Sequence, residues 1–412
     1  MSRSAKRVVI TGRGVVSSLG CTLPELAEAL RCGRSGLRTV PELRSVGLPS
    51  AVYAPVRGFD ENVIDLRARR TMSAGAMYAV AATQLALADA GLSLDGFDHR
   101  RAAAVVGADP GGINDAQAML RLLYAGRKSR SGAAGTTKVM YSTASANMAG
   151  VFQLRGRCYG VSAATATGLA AIRQGAELIA HGVADLAFCG AADEDIWRQF
   201  GRTLEKCGEM PLGFDDRPEQ ACRPFDAARC GPVLSAGAAM VLLESEDHAR
   251  RRGAPIWAEL AGWGTAADGT DALHPTGTGL HRAINFALCH AASCGVTEVA
   301  YIHSSANGSR VLDALEARVL RERFADRIPV SSTVGATGLC LSAGSALAVV
   351  HTLLMMQYGF MAPTANLQEP APECRGLRHV TTIESRDVST ALCTATGFSG
   401  FNECLVLRRL SV

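Results

Sequence analysis

Residues 161–182 read VSAATATGLAAIRQGAELIAHG. The start of this stretch predicts a buried β-strand, the Ala-Ala-Thr-Ala run a tight turn, and the small-residue remainder a buried helix. Thr165 stands at the turn. A helix N-terminus offers unpaired N–H groups and a positive dipole end, which stabilise a thiolate or a developing oxyanion. A threonine hydroxyl is not usefully acidic, so it needs a general base before it attacks anything. Without one, Thr165 is simply the N-cap of its helix.

The same pattern returns late in the chain. Residues 330–359, VSSTVGATGLCLSAGSALAVVHTLLMMQYG, share with the first stretch a leading Val-Ser and an Ala-Thr-Gly-Leu. Duplication of a strand, turn and buried-helix unit is the economical reading. Around the two copies the chain alternates strands and helices. RVVITGRGVVSSLG (7–20), RAAAVVGADPGG (101–112) and DLAFCGAADE (185–194) read as buried strands; LPELAEALRCGRSGL (23–37) and MYAVAATQLALADAGL (77–92) read as helices ended by Gly33 and Gly91. RPFDAARCGPVLSAGAAMVLLE (223–244) is a glycine-broken loop leading into a strand that closes the first half. The second half repeats the plan with PIWAELAGWGTAAD (255–268), a helix over 279–294, EVAYIHSS (298–305) as a strand and a helix over 313–324. The expected units are residues 1–250 and 251–412.

Composition sets the class. A chain of 412 residues that is 48% hydrophobic but only 5% aromatic suits a large α/β protein with a broad, small-residue core. The net charge of +4 is mild, and clusters such as Arg67, Arg69 and Arg70 or Arg250, Arg251 and Arg252 are short. That argues against nucleic acid as a ligand; the clusters read as solvated helix faces, with docking of an acidic carrier protein as the alternative. The thirteen cysteines show no metal-type spacing and read as reduced small hydrophobes. No apolar signal region opens the chain, and the apolar run 346–356, which contains His351, is too short to span a bilayer. A cytoplasmic protein with no membrane contact and no cofactor is expected.

The landmarks RVVITGRGVVSSLG, RPFDAARCGPVLSAGAAMVLLE, SSTVGATG and the terminal GFSGFNECLVL resemble the β-ketoacyl-ACP synthases, whose forms include RPFDADRDGFVLGEGAG and GFGGTNASLVL. The resemblance covers essentially the whole chain. It implies the thiolase fold, an α/β architecture of five layers, αβαβα, built from two duplicated halves.

The departures fall where the chemistry of that family resides. In its VSTACASGLHAI motif the nucleophilic cysteine corresponds to Thr165. The first catalytic histidine, in HGTST, corresponds to Ser305 within YIHSSANGS; the second, in KSMTGH, corresponds to Leu339, and the lysine to Val334. Asp313 and Glu316 remain, but the lysine that meets the glutamate does not. His303 lies two residues before the histidine position, on the same face of a strand, so a register slip would bring it into the site. His274 and His351 read as surface or core residues. Decarboxylative condensation needs a thiolate and two imidazoles, and none of the three is present.

Loss of the nucleophile with retention of the fold resembles the chain length factors of type II polyketide synthases. These usually carry glutamine at the cysteine position, so threonine here leaves room for the partner subunits of polyene-type synthases. The resemblance implies a heterodimer with an active ketosynthase, delivery by an acyl carrier protein, and a tunnel at the subunit interface. The segment from about Ser131 to Ser142 and the chain on to Val161 would lie at that interface. Phe398, with Gly400 and Phe401 in GFSGF, is the tunnel or gate candidate; for Phe398 a plain core position is the alternative. Two further readings stay open: an acyltransferase or decarboxylase using Thr165, and a homodimeric carrier-binding paralogue.

Overall fold

The computed structural model describes residues 5–127, 132–271 and 274–410. Ten strands carry the argument: β1 (Val8–Val16), β2 (Ala102–Gly107), β3 (Cys158–Gly160), β4 (Leu186–Asp193), β5 (Gly237–Ser245), β6 (Ala258–Ala267), β7 (Tyr301–His303), β8 (Pro329–Ser331), β9 (Thr390–Thr396) and β10 (Phe401–Arg408). The helices that position the site are α1 (Ala74–Asp89), α2 (Ile113–Tyr124), α3 (Thr143–Val151), α4 (Thr167–Ala180), α5 (Trp197–Lys206), α6 (Thr278–Ser293), α7 (Arg310–Phe324), α8 (Val334–Thr337) and α9 (Leu341–Tyr358).

From its outer edge inward, the first half-sheet runs β3-β2-β4-β5-β1, and the second runs β8-β7-β9-β10-β6. Each half thus has strand order third, second, fourth, fifth, first. In both, the three outer strands are parallel and the last two join antiparallel. The duplication expected from the echoed stretches is therefore present in the topology. The halves meet where Val9 and Ile10 of β1 pair antiparallel with Glu259 and Ala258 of β6, which makes one continuous sheet of eleven strands with the short strand Arg378–His379 at its far edge.

Three apolar clusters show the layering. Helices α4 and α9 lie between the half-sheets, in a cluster that includes Leu169, Ile172, Val349 and Leu353 with Val105, Val241, Ala391 and Leu405. Helices α1 and α3 cover the outer face of the first half, and α6 and α7 that of the second. The expected five layers, αβαβα, are all present. Small residues set the spacing: a Cβ on Gly14 would lie 1.7 Å from the Ala82 carbonyl oxygen of α1, so only glycine lets this helix approach β1 so closely.

Several local expectations change. Residues 161–166 form a turn, not a strand; the strand before them is the three-residue β3, partly exposed at the sheet edge. Its hydrophobicity signal came from the buried helix that follows. Helix α1 starts at Ala74 because Ser73 accepts the N–H of Ala76, and α7 starts at Arg310 because Ser309 accepts that of Leu312. Helix α9 is longer than the apolar run inside it: at 18 residues it is long and apolar enough to cross a membrane, and 78% of it is buried within the protein. The serines and glycine of its first turns hid its length in the sequence. All thirteen cysteines are unpaired.

Candidate functional site

Thr165 does not cap α4. The N-cap residue is Ala166, which contributes no side-chain hydrogen bond, and the helix begins at Thr167. Instead the Thr165 hydroxyl donates to the Thr396 carbonyl oxygen, 2.9 Å away at the end of β9. The residue before it, Ala164, has φ +52°, a left-handed conformation that alanine adopts only under constraint from its surroundings. Thr167 supplies that constraint. Its Oγ1 accepts the Ala163 N–H at 2.8 Å and lies 2.6 Å from the Ala164 carbonyl oxygen and 3.2 Å from Asp109. The turn is thus held rigidly, but the Thr165 hydroxyl faces a carbonyl. A carbonyl oxygen cannot take up the proton that nucleophilic attack would release.

Ser305 sits in a network around Glu316. The Glu316 carboxyl, buried on α7, accepts the hydroxyls of Ser304 (2.8 Å), Ser305 (3.0 Å) and Thr394 (2.5 Å) and the Ser305 N–H (3.1 Å). Burial raises its pKa, and these donors oppose that. Hydroxyls from three residues therefore satisfy this buried carboxyl without a cation. Nearby, Asp313 ties the 305–309 loop down by accepting the N–H groups of Asn307 (2.9 Å), Gly308 (3.1 Å) and Phe225 (2.8 Å); burial pushes its pKa up to about 7.

Leu339 and Val334 are both buried, in an apolar cluster with Tyr53, Ala54 and Leu234. Leu339 is fixed through its backbone, its N–H donating to the Val233 carbonyl at 2.7 Å. Its side chain offers no hydrogen bond to a developing charge.

His303 does not slip into the Ser305 position. It pairs in register with Ser331 and Cys393 and points with Tyr301 toward α9. There its Nε2 lies 3.1 Å from Thr333 Oγ1, and the same hydroxyl lies 2.8 Å from His351 Nδ1. Both imidazoles are 1% exposed. Burial pushes His303 down to about 4 and His351, with the neighbouring His303, to about 3, so both are neutral at physiological pH. His351 is the core residue the sequence suggests, and His274 is exposed with Nδ1 2.7 Å from Asp271.

The hairpin between β9 and β10 carries Phe398, Gly400 and Phe401. A Cβ on Gly397 would lie 3.2 Å from Ala164 Cβ, so this hairpin packs directly on the turn that holds Thr165. Phe398 is 38% exposed and Phe401 46%. The plain core reading of Phe398 is thereby excluded. Gly400 has φ +71° and closes the loop by donating to the Gly397 carbonyl at 2.9 Å.

The positions converge through shared elements. Strand β9 touches Glu316 through Thr394 and Thr165 through the Thr396 carbonyl. Ser332 donates to the Ala306 carbonyl at 2.6 Å, joining the loop after Ser305 to the segment that leads to Leu339.

Sequence reasoning missed two carboxyls behind the turn, Asp193 buried and Asp109 half-buried. Asp193, at the end of β4, accepts the Ala343 N–H of α9 at 2.7 Å, while its Oδ1 and the Ser342 hydroxyl have no geometrically sound partner. Burial, opposed by that N–H and reinforced by Asp109, pushes Asp193 up to about 7; burial also raises Asp109. The two aspartates are 84 residues apart in sequence, with no motif linking them. A carboxyl raised from 3.8 to about 7 stays protonated in the fold where the unfolded chain is ionised. Its stabilising contribution is complete below pH 3.8 and is lost as pH rises through 7. Asp193→Asn is therefore expected to gain stability on the unmodified chain by roughly 1.4 kcal/mol per pH unit between pH 5 and 7. Urea melts of both proteins across that range check this, and parallel curves would refute it.

In sum the centre holds a hydroxyl facing a carbonyl, a serine facing a buried carboxyl and a leucine in an apolar cluster. The comparisons fit this frame. The beta-ketoacyl synthase N-terminal domain model matches residues 5–249 and the C-terminal domain model residues 257–368. The chain is 34% identical over 408 residues to 3-oxoacyl-[acyl-carrier-protein] synthase 1 of Escherichia coli, covering 98% of this chain and 99% of that one. Among solved structures it is similar to the ishigamide ketosynthase/chain length factor (TM-score 0.90, 28% identity, 99% of this chain and 100% of that one). It is also similar to a chain from a type II polyketide acyl-carrier protein in complex with its ketosynthase bound to the hexaketide (TM-score 0.86, 26% identity, 98% and 100%). With the two domain models matching residues 5–249 and 257–368 and a 34% identical relative spanning 98% of its length, the chain belongs to the beta-ketoacyl synthase family.

Proposed function

We propose that this chain is a non-catalytic ketosynthase-like subunit, a chain length factor, that pairs with an active ketosynthase and helps shape the tunnel that sets polyketide or polyene chain length. The carrying observation is the proton inventory of the centre. Thr165 donates to a carbonyl, Ser305 is held by Glu316, and Leu339 has nothing to donate. Losing one oxyanion donor typically costs on the order of a hundredfold or more in rate, and here the thiol and both imidazoles are missing. The family relatives include active synthases, so the reading rests on these residues and not on overall similarity.

Two features support a partner. The outer edge of β3 carries no further strand among the described residues, and an open edge invites pairing with another chain. Around it lie exposed apolar side chains, Met140 at 39%, Tyr141 at 64% and Val183 at 38%. Tyr141 is adjacent to the edge: its carbonyl oxygen lies 3.3 Å from where a Gly160 Cβ would stand. The interface in this reading runs from the helix over Gly132–Val139 to Val161; its first residue, Ser131, lies outside the described residues. Residues 1–250 and 251–412 act as one scaffold, with Phe398, Gly400 and Phe401 at the tunnel mouth and an acyl carrier protein delivering substrate.

Tyr141→Glu tests the partnership. A carboxylate forced into an apolar interface loses its hydration without a partner. The variant is expected to weaken the complex with the ketosynthase more than tenfold in analytical ultracentrifugation, with its own circular dichroism unchanged. An unchanged dissociation constant would move the interface elsewhere.

A further inference from the structure

Outside the degenerate centre, a cleft of about 350 Å³ opens between α2 and α5, lined by Asn114, Gln117, Arg121, Asp195, Trp197 and Arg198. Its polar groups divide into two sets. Asn114 and Asp195 are occupied: the Asn114 amide nitrogen donates to the Asp195 carbonyl at 2.6 Å, its Oδ1 accepts from Gln199 at 3.0 Å, and the Asp195 carboxyl accepts the Tyr53 hydroxyl. Burial raises the Asp195 pKa, and the Tyr53 hydroxyl and the Arg198 charge oppose that. The remaining set is cationic or neutral. Among the described residues, neither Arg121 nor Arg198 forms an ion pair, and Arg198 lies over the Trp197 ring with its guanidinium carbon 4.8 Å from the centroid.

Two guanidiniums outside any ion pair, one of them stacked on an indole and acting on the Asp195 carboxyl through space, beside a free glutamine amide form a recognition surface for a planar or tetrahedral oxyanion. We infer that this cleft binds a carboxylate or phosphate group. Its position connects it to the centre. Helix α2 starts four residues after Asp109, which contacts Thr167 at the turn, and the Asn114 N–H donates to Glu194 at the end of β4 at 2.8 Å. An oxyanion held there is either the distal end of an acyl chain or a free phosphate. The binding is a property of this chain and does not require a ketosynthase or any turnover.

Calorimetry on the full chain separates the sources, with three probes: octanoyl-pantetheine, the octanedioyl mono-thioester of pantetheine, whose distal end is a carboxylate, and inorganic phosphate. If the group is an acyl terminus, the octanedioyl thioester binds about tenfold more tightly than the octanoyl one, and Arg198→Gln or Arg121→Gln erases the difference. If the source is free phosphate, phosphate binds, the two thioesters do not differ, and the same substitutions weaken phosphate by about tenfold. Absence of any anion binding that responds to the two substitutions overturns the inference. The variants' circular dichroism and urea midpoints establish that they are folded; both arginines lie on the surface.

Discussion

Gly168→Val is expected to abolish the stable fold, or to lower its stability by about 3 kcal/mol or more. Gly168 lies in the first turn of α4, where that helix crosses α9 between the two half-sheets. A Cβ there would stand 2.5 Å from the Ala346 backbone nitrogen, 2.8 Å from Ala346 Cβ and 2.9 Å from Ser345 Oγ. Two of these neighbours are a backbone atom and the Cβ fixed to it, so the clash is relieved only by separating the helices. That separation also breaks the bond from the Leu169 N–H to Ser345 Oγ at 3.3 Å and opens voids in the central layer. Gly344→Ala in α9 is the matched control. Nothing lies within 4 Å of an added Cβ there, so helix propensity dominates and stability is expected to rise by about 0.5–1 kcal/mol. Urea unfolding of the pair reads both signs. A Gly168→Val protein with an unchanged midpoint would mean that the central helices do not cross as closely as described.

The crossing also explains what the sequence could and could not reveal. The echo between residues 161–169 and 330–339 was visible, and it corresponds to equivalent places in two half-sheets of identical strand order. Periodicity located the buried helices well because burial on all sides leaves a continuous apolar run. It located strand ends poorly: β3 is three residues long and half-exposed, so the apolar signal near Val161 belonged to the turn and helix beyond it. The function of Thr165 was misread as a cap because local rules favour a hydroxyl at the residue before a helix. The folded chain uses Thr167 to hold the turn and sends the Thr165 hydroxyl to Thr396, 231 residues away. Long-range partners of this kind carry no local pattern. The same holds for Glu316, whose satisfaction by Thr394 depends on β9 lying beside β7. Leu339 was the exception, since loss of a polar side chain is legible wherever it occurs.

The largest functional contrast concerns turnover. The hydroxyls of Thr165 and Ser305 are engaged by a carbonyl and a buried carboxyl. His303 and His351 are the imidazoles nearest in sequence to the reacting positions. They are buried together on Thr333, and burial holds them in the neutral form. In the proposed reading the central region contributes shape, and a change at Thr165 that keeps the turn intact is expected to alter little. Thr165→Ala removes one hydroxyl–carbonyl bond, worth about 1 kcal/mol, while Ala163, Ala164 and Thr167 keep the geometry.

The most direct test is a malonyl-ACP elongation assay of the co-purified pair, of each chain alone, and of the pair carrying Thr165→Ala. The account predicts elongation by the pair, no turnover above background by this chain alone, and a rate within about twofold of the unmodified pair for Thr165→Ala. Turnover by this chain alone that Thr165→Ala abolishes would contradict it, and would make Thr165 a nucleophile whose base lies outside the contacts described.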